Sequence, residues 1–348
     1  MLHYHDSIQK LYIELTQFCN LNCPACFRSN WTHPPVHMTE AVFEKVRAEA
    51  ASVATVVVGG VGEATAHPEF DQYSRRLGHE NMELTSNAYH WDADTVRTML
   101  DCYQKVTVSV DGLPPTFFEA RGFAFEVMAE NVRRLVAAKK AARSKFPRIH
   151  AQLTLSKDNL HDVRGLIPLL KQIGFERFVI SNLLPQTERD KDKIVYTPYL
   201  SKELRAFVHA WYPVASVNQL PTQLPQTKFN AEHRCAFVED GALFITAAGN
   251  VAPCYRFAHD GQEYVFGRQK KVRAVSFGSL LENRLSEIWE QTDYKTFRFQ
   301  NYASRYPSCI DCDYVECCDY ITTSEADCRA NEPSCADCLW CRGLIACP

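Results

Sequence analysis

The sequence predicts an α/β fold built on a parallel β-sheet, followed by a cysteine-rich C-terminal region. Two observations lead to this prediction. Over the first half of the chain, apolar strand-like segments alternate about six times with helical patterns, and the connections are short. Such alternation is typical of a parallel sheet, either open or closed into a barrel. In addition, eleven of the 15 cysteines lie at or after Cys235 in a chain of 348 residues, a length that suits about two domains.

Six short apolar segments are predicted as the strands of this sheet. The first covers residues 11–16 and ends just before Cys19. The second, residues 53–58, is a β-branched run of the kind found in strands that are buried on both faces. The remaining four are residues 82–85, 105–110, 149–155 and 177–180.

Helical spacing of apolar residues fills the connections between these strands. Thr39 is a suitable N-cap for the first helix, and Gly174 is a suitable C-cap for the helix before the sixth strand. The predicted helices are residues 40–51, 68–77, 92–103, 125–145, 160–173, 201–211 and 285–292.

The alternating pattern weakens after Pro185. The polar segment 222–232 is predicted as a linker, and residues 242–253 are typical of a hairpin with Cys254 at its exit. We therefore expect a first domain over residues 1–215, a linker over 216–231 and a second domain over 232–348.

Polar and glycine residues follow five of the predicted strands at the point where each strand ends. Singly, each is explained by the turn chemistry that follows strands. Because the carboxyl ends of parallel strands meet at one edge, where such folds place their chemistry, together these residues predict a functional site. They are Cys19, the segment 59–63, Ser86, Asn87, Ser109, Asp111 and Asn182.

The composition excludes several classes of protein. Hydrophobic residues make up 46% and charged residues 23%, which excludes disorder over the whole chain. The formal net charge of −3 gives no electrostatic reason to expect a nucleic-acid partner or an acidic membrane surface. The longest apolar run, residues 53–61, is shorter than the ~18 residues of a spanning helix, and no export signal opens the sequence. We therefore expect a cytoplasmic protein without nucleic-acid or membrane partners.

The N-terminal triplet of Cys19, Cys23 and Cys26 indicates metal ligation. Three thiols this close together make a poor disulfide framework, and a reducing cytoplasm disfavours disulfides. Structural zinc suits the later Cys-x2-Cys pairs taken alone, but the triplet has no obvious fourth zinc ligand. A [4Fe–4S] cluster fits better, because three thiolates leave one iron open to a small-molecule ligand. The C-terminal thiols suffice for one or two further clusters.

This triplet also carries a resemblance to a known family. The segment Cys19-Asn-Leu-Asn-Cys23-Pro-Ala-Cys26, placed after an apolar strand, resembles the signature of the radical S-adenosylmethionine (SAM) enzymes. Gly59-Gly-Val-Gly-Glu63 is similar to the glycine-rich SAM-binding motif of that family, although Ala64 replaces the proline that often follows. The resemblance implies a partial (β/α)6 TIM-like barrel over about residues 8–215.

By position, the resemblance implies roles for the residues at the strand ends. Cys19, Cys23 and Cys26 would ligate a [4Fe–4S] cluster whose fourth iron is chelated by SAM. Ala25 stands where the family often has an aromatic residue against the adenine, so that contact is not assigned. The implied SAM-binding residues are Gly59, Gly60, Gly62 and Glu63 near the amino group, Ser109 and Asp111 near the ribose or carboxylate, and Ser86, Asn87 and Asn182 on the same rim.

The C-terminal region resembles a second module of that family, the SPASM domain, which carries auxiliary [4Fe–4S] clusters. The resemblance depends on Cys235, on Gly249-x4-Cys254 and on Cys309-x2-Cys312-x5-Cys318. Thr322 replaces the next cysteine of the pattern, and Cys328 is the expected substitute. The implied auxiliary ligands are Cys235, Cys254, Cys309, Cys312, Cys318, Cys328, Cys335, Cys338 and Cys347.

Four residues have a different interpretation. Cys317 and Cys341 fall outside the SPASM pattern and are interpreted as spare thiols. Cys102, on a predicted helix, is interpreted as a small buried hydrophobic residue. Tyr255 occupies the position where many relatives have an acidic general base, so the sequence identifies no catalytic base.

Finer similarities indicate one subgroup, the radical SAM/SPASM maturases associated with tungsten-cofactor oxidoreductases. They lie in Tyr12-Ile-Glu-Leu-Thr16, Phe27-Arg-Ser-Asn-Trp31, Asp327-Cys328, Pro333-Ser-Cys335-x2-Cys338-Leu-Trp340 and Cys347-Pro348. The resemblance implies an enzyme that cleaves SAM reductively to methionine and a 5′-deoxyadenosyl radical. This radical would take a hydrogen atom from a peptide, protein or cofactor of a partner oxidoreductase, and an external donor would supply the electron.

Three other functions stay open from the sequence. A radical SAM peptide cyclase or oxidase would act on a ribosomally made peptide. A non-catalytic iron–sulfur electron-transfer protein would bind iron without cleaving SAM. A zinc-stabilised interaction module would bind zinc in place of iron.

Overall fold

The structure, a computed structural model, describes residues 7–31 and 33–346. Its first six strands are parallel and lie side by side in chain order. They are β1 (Lys10–Ile13), β2 (Thr55–Val58), β3 (Met82–Ser86), β4 (Lys105–Ser109), β5 (Arg148–Leu155) and β6 (Arg177–Asn182). This arrangement confirms the predicted α/β fold with a parallel sheet.

Helices make the connections between these strands. They are α1 (Glu40–Ala50), α2 (Phe70–Leu77), α3 (Ala93–Cys102), α4 (Pro114–Arg121), α5 (Phe125–Ala141) and α6 (Val163–Ile173), and α7 (Lys202–Val217) follows β6. The side-chain oxygen of Thr39 accepts a hydrogen bond from the Val42 N–H, as an N-cap does. Gly174 ends α6 with a φ of +114°, a conformation that favours glycine. Both predicted caps are therefore present.

Strands from the later part of the chain extend both edges of the parallel sheet. β7 (Thr222–Gln223) pairs with β6, and β8 (Ala242–Ile245) pairs in parallel with β1. β9 (Val251–Ala252) then pairs antiparallel with β8, which gives the predicted hairpin. The segment expected to be a linker thus supplies β7, and the expected second domain supplies β8 and β9. The partial barrel stays open because β1 and β6 each pair with one of these strands instead of with each other.

The remaining C-terminal elements are short. They are α8 (Ala236–Glu239), the antiparallel pair β10 (Gly261–Val265) and β11 (Arg268–Val272), α9 (Leu285–Glu290) and α10 (Thr292–Tyr302). Between residues 303 and 346, the described chain forms turns and short 3-10 segments but no strand or α-helix. This matches the absence of periodicity in the cysteine-rich sequence.

One hydrophobic core joins the barrel to this irregular tail. β2 is buried on both faces, with Val56, Val57 and Val58 at most 3% exposed, as its β-branched sequence predicts. The same cluster of buried residues includes Cys335 and Leu339 of the tail. The C-terminal region therefore packs directly on the barrel. Among the described residues, no helix combines the length and the hydropathy that crossing a membrane would need.

Helix α4 is the element of the barrel that the sequence did not predict. It begins at Pro114, followed by a second proline, and Phe117 is its only buried residue. A helix of eight residues with one buried position gives no apolar periodicity. The omission matters because α4 ends at Arg121, which lies in the site.

Candidate active site

A cavity of about 570 Å³ lies at the carboxyl ends of the parallel strands. Its lining includes every SAM-binding candidate and all three cysteines of the N-terminal triplet. These are Cys19, Cys23, Cys26, Gly59, Gly60, Gly62, Glu63, Ser86, Asn87, Ser109, Asp111 and Asn182. The structure therefore brings together residues that are up to 163 positions apart, as the strand-end argument predicts.

The cysteine triplet lies on a loop that follows β1. The Cys26 N–H donates to the Cys23 carbonyl oxygen over 3.1 Å, which closes a turn between two of the thiols. The Leu21 N–H donates to the Cys19 sulfur over 3.4 Å. All three thiols are free and partly exposed to the cavity. Burial raises the pKa of Cys19 to about 11 and also raises the pKa of Cys26. The loop thus presents three thiols that a metal cluster, rather than solvent, would stabilise as thiolates.

The glycine segment, residues 59–63, packs directly against the backbone that leads into the cysteine loop. The Glu63 N–H donates to the Phe18 carbonyl oxygen over 2.8 Å. A Cβ atom on Gly62 would lie 2.1 Å from the Thr16 carbonyl oxygen, and one on Gly60 would lie 3.0 Å from the Glu14 side chain. Position 62 therefore requires glycine if the segment is to run this close to the backbone that leads into the cysteine loop.

Glu63 organises the rim of the cavity. Its carboxylate accepts hydrogen bonds of 2.7 Å from the Ser86 hydroxyl, the Asn87 N–H and the Thr65 hydroxyl. Burial raises the pKa of Glu63, and these hydrogen bonds partly offset the increase. With its oxygens held by protein groups, Glu63 fixes the position of Ser86 and Asn87.

Asn87 links this rim to the cysteine loop. Its side-chain N–H donates to the Asn20 side-chain oxygen over 2.8 Å and approaches the Cys19 sulfur at 3.7 Å. An amide donor at this distance can stabilise negative charge on a sulfur ligand.

Arg121, which the sequence analysis did not identify, lies between two predicted site residues. Its guanidinium forms an ion pair of 2.5 Å with Asp111 and approaches the Cys23 sulfur at 3.8 Å. The second Asp111 oxygen accepts the Thr154 N–H over 2.8 Å, which fixes the carboxylate. The Arg121 Nε atom is buried and has no hydrogen-bond partner among the described residues. Asp111 thus holds the Arg121 guanidinium beside the thiol triplet, and the Nε–H of that guanidinium has no partner among the described residues.

Asn182 connects the barrel with the C-terminal tail. Its side-chain N–H donates to the carbonyl oxygens of Leu344 over 2.8 Å and of Gln226 over 3.1 Å. Its side-chain oxygen is buried without a partner among the residues that the structure describes. Asn182 therefore fixes the tail against the cavity and keeps one acceptor available. Ser109 lines the same cavity at the end of β4.

Tyr255 and Trp340 of the C-terminal region line the cavity as well, together with Phe244 of β8. Tyr255 directly follows Cys254, and its ring lies 5.2 Å from Phe237 and 6.3 Å from Trp340, edge-on to both. Part of the cavity wall thus comes from the region that carries the later cysteines.

The later cysteines lie in two groups. The inner group is Cys235, Cys254, Cys335, Cys338 and Cys341, of which the last three are buried. The outer group is Cys309, Cys318 and Cys328, and Cys312 follows Cys309 by three residues. Cys317 is exposed, Cys102 packs half-buried at the end of α3, and Cys347 lies outside the described residues.

A buried network of four charges lies between these groups. Arg256 pairs with Glu263, and Lys270 pairs with Asp337 over 2.8 Å. All four side chains are at most 4% exposed. Arg256 faces Cys338 of the inner group, whereas Lys270 and Asp337 face Cys309 of the outer group. Each of these buried charges is thus paired with an opposite charge, as buried charges usually are.

The thiol groups are not arranged for a single metal ion. Within residues 7–31 and 33–346, no three His, Cys, Asp or Glu side chains form a set suited to one ion. The donor sets do suit larger groups, because each consists of three or more free thiols with polar or charged side chains beside it.

Comparisons with known proteins identify the class. The chain matches the radical SAM superfamily over residues 13–190 and SPASM, an iron–sulfur cluster-binding domain, over residues 235–313. It belongs to the radical SAM superfamily. More particularly, it is 34% identical over 346 residues to a tungsten-containing aldehyde ferredoxin oxidoreductase cofactor-modifying protein of Pyrococcus furiosus, covering 97% of this chain and 96% of that one.

Solved structures show the same fold at low sequence identity. SuiB of Streptococcus suis bound to precursor peptide SuiA has a TM-score of 0.65 and 16% identity, covering 97% of this chain and 77% of that one. Native anSMEcpe with bound AdoMet has a TM-score of 0.62 and 16% identity, covering 88% of this chain and 87% of that one.

Family membership defines the cofactors. A radical SAM domain binds SAM and a [4Fe–4S] cluster, and a SPASM domain binds auxiliary iron–sulfur clusters. The predicted class of enzyme and its predicted cofactors are therefore confirmed. The thiol triplet, the glycine segment and the unused donor of Arg121 fit such a cluster and its SAM ligand.

Proposed function

We propose that this chain cleaves SAM reductively in the 570 Å³ cavity and modifies a peptide, protein or cofactor of a tungsten-dependent oxidoreductase. One observation carries the proposal: the thiol triplet, the glycine segment and the wall of Tyr255 and Trp340 all line this cavity. When bound, the cluster and SAM supply the chemistry, a one-electron reduction that yields methionine and a hydrogen-abstracting 5′-deoxyadenosyl radical. The protein supplies binding, orientation and exclusion of water.

The residues of the cavity divide these tasks. Cys19, Cys23 and Cys26 hold the cluster. The backbone of the glycine segment, Gly59, Gly60 and Gly62, receives the SAM amino group. Glu63 positions Ser86 and Asn87 through its hydrogen bonds. Ser109, Asp111 and Asn182 contribute polar groups to the rest of the cavity.

The C-terminal thiols hold the auxiliary clusters in this proposal. The ligands are drawn from Cys235, Cys254, Cys309, Cys312, Cys318, Cys328, Cys335, Cys338 and Cys347. The radical SAM barrel corresponds to residues 1–215, the connection to 216–231 and the SPASM region to 232–348, with β7 to β9 joining the barrel sheet across these limits. The cytoplasm, with an external electron donor, is the proposed setting.

The proposed partner follows from the relative of Pyrococcus furiosus. Its name assigns it to cofactor modification of a tungsten-containing aldehyde ferredoxin oxidoreductase, and it aligns with 97% of this chain. An alignment over both regions supports a shared reaction class more strongly than a match to the barrel alone would.

Anaerobic reconstitution tests the proposal. Three [4Fe–4S] clusters would give about 12 irons per chain. We expect 5′-deoxyadenosine when SAM and dithionite are added, and a faster rate when an immature tungsten oxidoreductase is included. Zinc in place of iron, or iron without 5′-deoxyadenosine, would contradict the enzyme. Stimulation by a ribosomally made peptide but not by the oxidoreductase would favour the peptide cyclase.

Arg121 provides a sharper test of the site. Arg121→Gln removes a positive charge 3.8 Å from the Cys23 sulfur and leaves Asp111 unpaired. Because a charged hydrogen bond contributes about 1.5–3 kcal/mol, we expect 5′-deoxyadenosine formation to slow about 10- to 100-fold. The reduction potential of the SAM-binding cluster should also fall, because the cation stabilises the reduced cluster.

The matched control is Arg133→Gln, on the exposed side of α5, where the arginine pairs loosely with Glu130 at 3.8 Å. Potentiometry and product assay should show no change in this control. Arg121→Lys keeps the positive charge but lacks the forked geometry of the guanidinium. Its rate of 5′-deoxyadenosine formation should therefore lie between those of Arg121→Gln and the control. A wild-type potential in Arg121→Gln would show that Arg121 only supports the fold.

A further inference from the structure

Glu14, which directly follows β1, is a buried acidic residue beneath the glycine segment. It is 1% exposed. A Cβ atom on Gly60 would lie 3.0 Å from both Cβ and Cγ of Glu14, so the segment packs directly on this side chain. The neighbouring Gly59 N–H donates to the Ile13 carbonyl oxygen over 3.0 Å. The position of the glycine segment therefore depends on how the Glu14 side chain is held.

The groups that hold Glu14 come from the C-terminal region. The Glu14 N–H donates to the Ile245 carbonyl oxygen at the end of β8 over 2.9 Å. The carboxylate of Glu14 accepts a hydrogen bond of 3.2 Å from the Ala247 N–H. The Nε2 atom of His259 lies 3.0 and 3.1 Å from the two carboxylate oxygens, and it is the donor because a carboxylate only accepts. The His259 and Glu14 side chains are 9% and 0% exposed, so little water competes for this pair.

His259 also packs against the chain that leaves the cysteine loop. Its ring centroid lies 4.4 Å from the ring centroid of Trp31. The Trp31 N–H donates to the Arg28 carbonyl oxygen over 3.1 Å and so ends the short 3-10 turn that follows Cys26. On Trp31 the exposed ring of His33 is stacked as well, at 5.0 Å. One side chain of the C-terminal region thus contacts the neighbours of both the glycine segment and the cysteine loop.

His259 lies beside the main cavity. It lines a second, smaller cavity of about 20 Å³. The two cavities share Phe27, Val61 and Tyr255 as lining residues. From this place, His259 reaches the main cavity through Glu14 and Trp31.

We propose that His259 is a positioning residue for SAM binding. By pairing with Glu14 and packing on Trp31, it holds the glycine segment and the cysteine loop at the spacing that SAM requires. This role rests on the proposed binding of SAM in the main cavity. It makes SAM affinity depend on the C-terminal region through a contact that is separate from that region's thiols.

The test measures SAM binding to the reconstituted full chain by equilibrium dialysis, with iron counted in the same samples. His259→Ala leaves the buried carboxylate of Glu14 without its side-chain partner and should weaken SAM binding ~10-fold at unchanged iron content. His259→Gln keeps an N–H donor and should bind SAM almost as the wild type does. Adding Glu14→Gln to His259→Ala removes the unpaired carboxylate and should restore part of the lost affinity, an interaction that a double-mutant cycle detects.

His79→Ala is the matched control. His79 is also half-buried, and its ring lies 2.9 Å from the Val53 carbonyl oxygen near the amino end of β3, away from the cavity. This variant should bind SAM as the wild type does. Wild-type affinity in His259→Ala would overturn the proposal, and so would weaker binding that neither His259→Gln nor Glu14→Gln relieves.

Two further outcomes have separate meanings. A loss of iron from the N-terminal triplet in His259→Ala would overturn the proposal, because His259 would then support the cysteine loop alone. Failure of the wild-type chain to bind SAM would instead contradict the proposed function. Far-UV circular dichroism verifies that each variant is folded.

Discussion

Changing Cys19, Cys23 and Cys26 together to Ala is expected to abolish 5′-deoxyadenosine formation and to leave the auxiliary clusters in place. The three thiols line the cavity, and without them the SAM-binding cluster has no protein ligands. The iron content should fall from about 12 to about 8 per chain. Product analysis with SAM and dithionite, together with iron counting, measures both effects.

The structure explains why the remaining iron should persist. The triplet lies on the loop after β1, whereas the inner and outer groups are built from residues 235–341. The triple substitution therefore leaves every cysteine of the two later groups unchanged. Cys102→Ala is the appropriate control, because Cys102 lies on α3 and packs against the core. Continued formation of 5′-deoxyadenosine by the triple variant would place the reaction elsewhere in the molecule.

Local sequence predicts most of the barrel. The β-branched run ending at Val58 and the caps at Thr39 and Gly174 are short-range features, and the structure has each of them. The strand-end argument succeeds for a different reason. Parallel strands place their carboxyl ends at one edge, so residues such as Cys19 and Asn182 meet regardless of their separation in sequence.

The contacts that the sequence did not reveal are long-range or lack periodicity. Arg121 lies on a helix with one buried residue, so no pattern marked the segment. In the parallel pairing of β8 with β1, Leu11 lies opposite Leu243. No local feature of the sequence specifies this register. Cys335, Cys338 and Cys341 follow one another at intervals of three residues, a regular spacing that is the one sequence signal for the place of Cys341 in the inner group.

The association of the tail with the barrel has a functional consequence. Asn182 at the end of β6 holds the Leu344 carbonyl oxygen, and Tyr255 continues from Cys254 into the cavity wall. The inner thiol group is thus connected through adjacent residues to the cavity wall that would face a substrate. This arrangement suits an auxiliary cluster that exchanges an electron with a substrate radical or anchors the substrate.

Gly62→Ala is expected to weaken SAM binding and to slow SAM cleavage on the order of 100-fold. A Cβ atom at this position would lie 2.1 Å from the Thr16 carbonyl oxygen and 2.7 Å from that of Phe18. Both obstacles are backbone atoms, so the glycine segment and the cysteine loop must move apart by about 1 Å, a misplacement that can cost this much in rate. Equilibrium dialysis with labelled SAM and the rate of 5′-deoxyadenosine formation measure the two effects.

Alanine substitutions at two other glycines serve as controls for this prediction. Gly60→Ala meets the Glu14 side chain at 3.0 Å, which can give slightly, so its effect should be smaller. Gly261→Ala, at the start of β10, has no heavy atom within 4 Å of the added Cβ and should behave as wild type. Auxiliary iron should be retained in all three variants, because no substitution changes a cysteine of the two C-terminal thiol groups. If Gly62→Ala bound and cleaved SAM as Gly261→Ala does, the glycine segment would not be part of the SAM-binding site, since position 62 is where an added Cβ atom meets the closest backbone contacts.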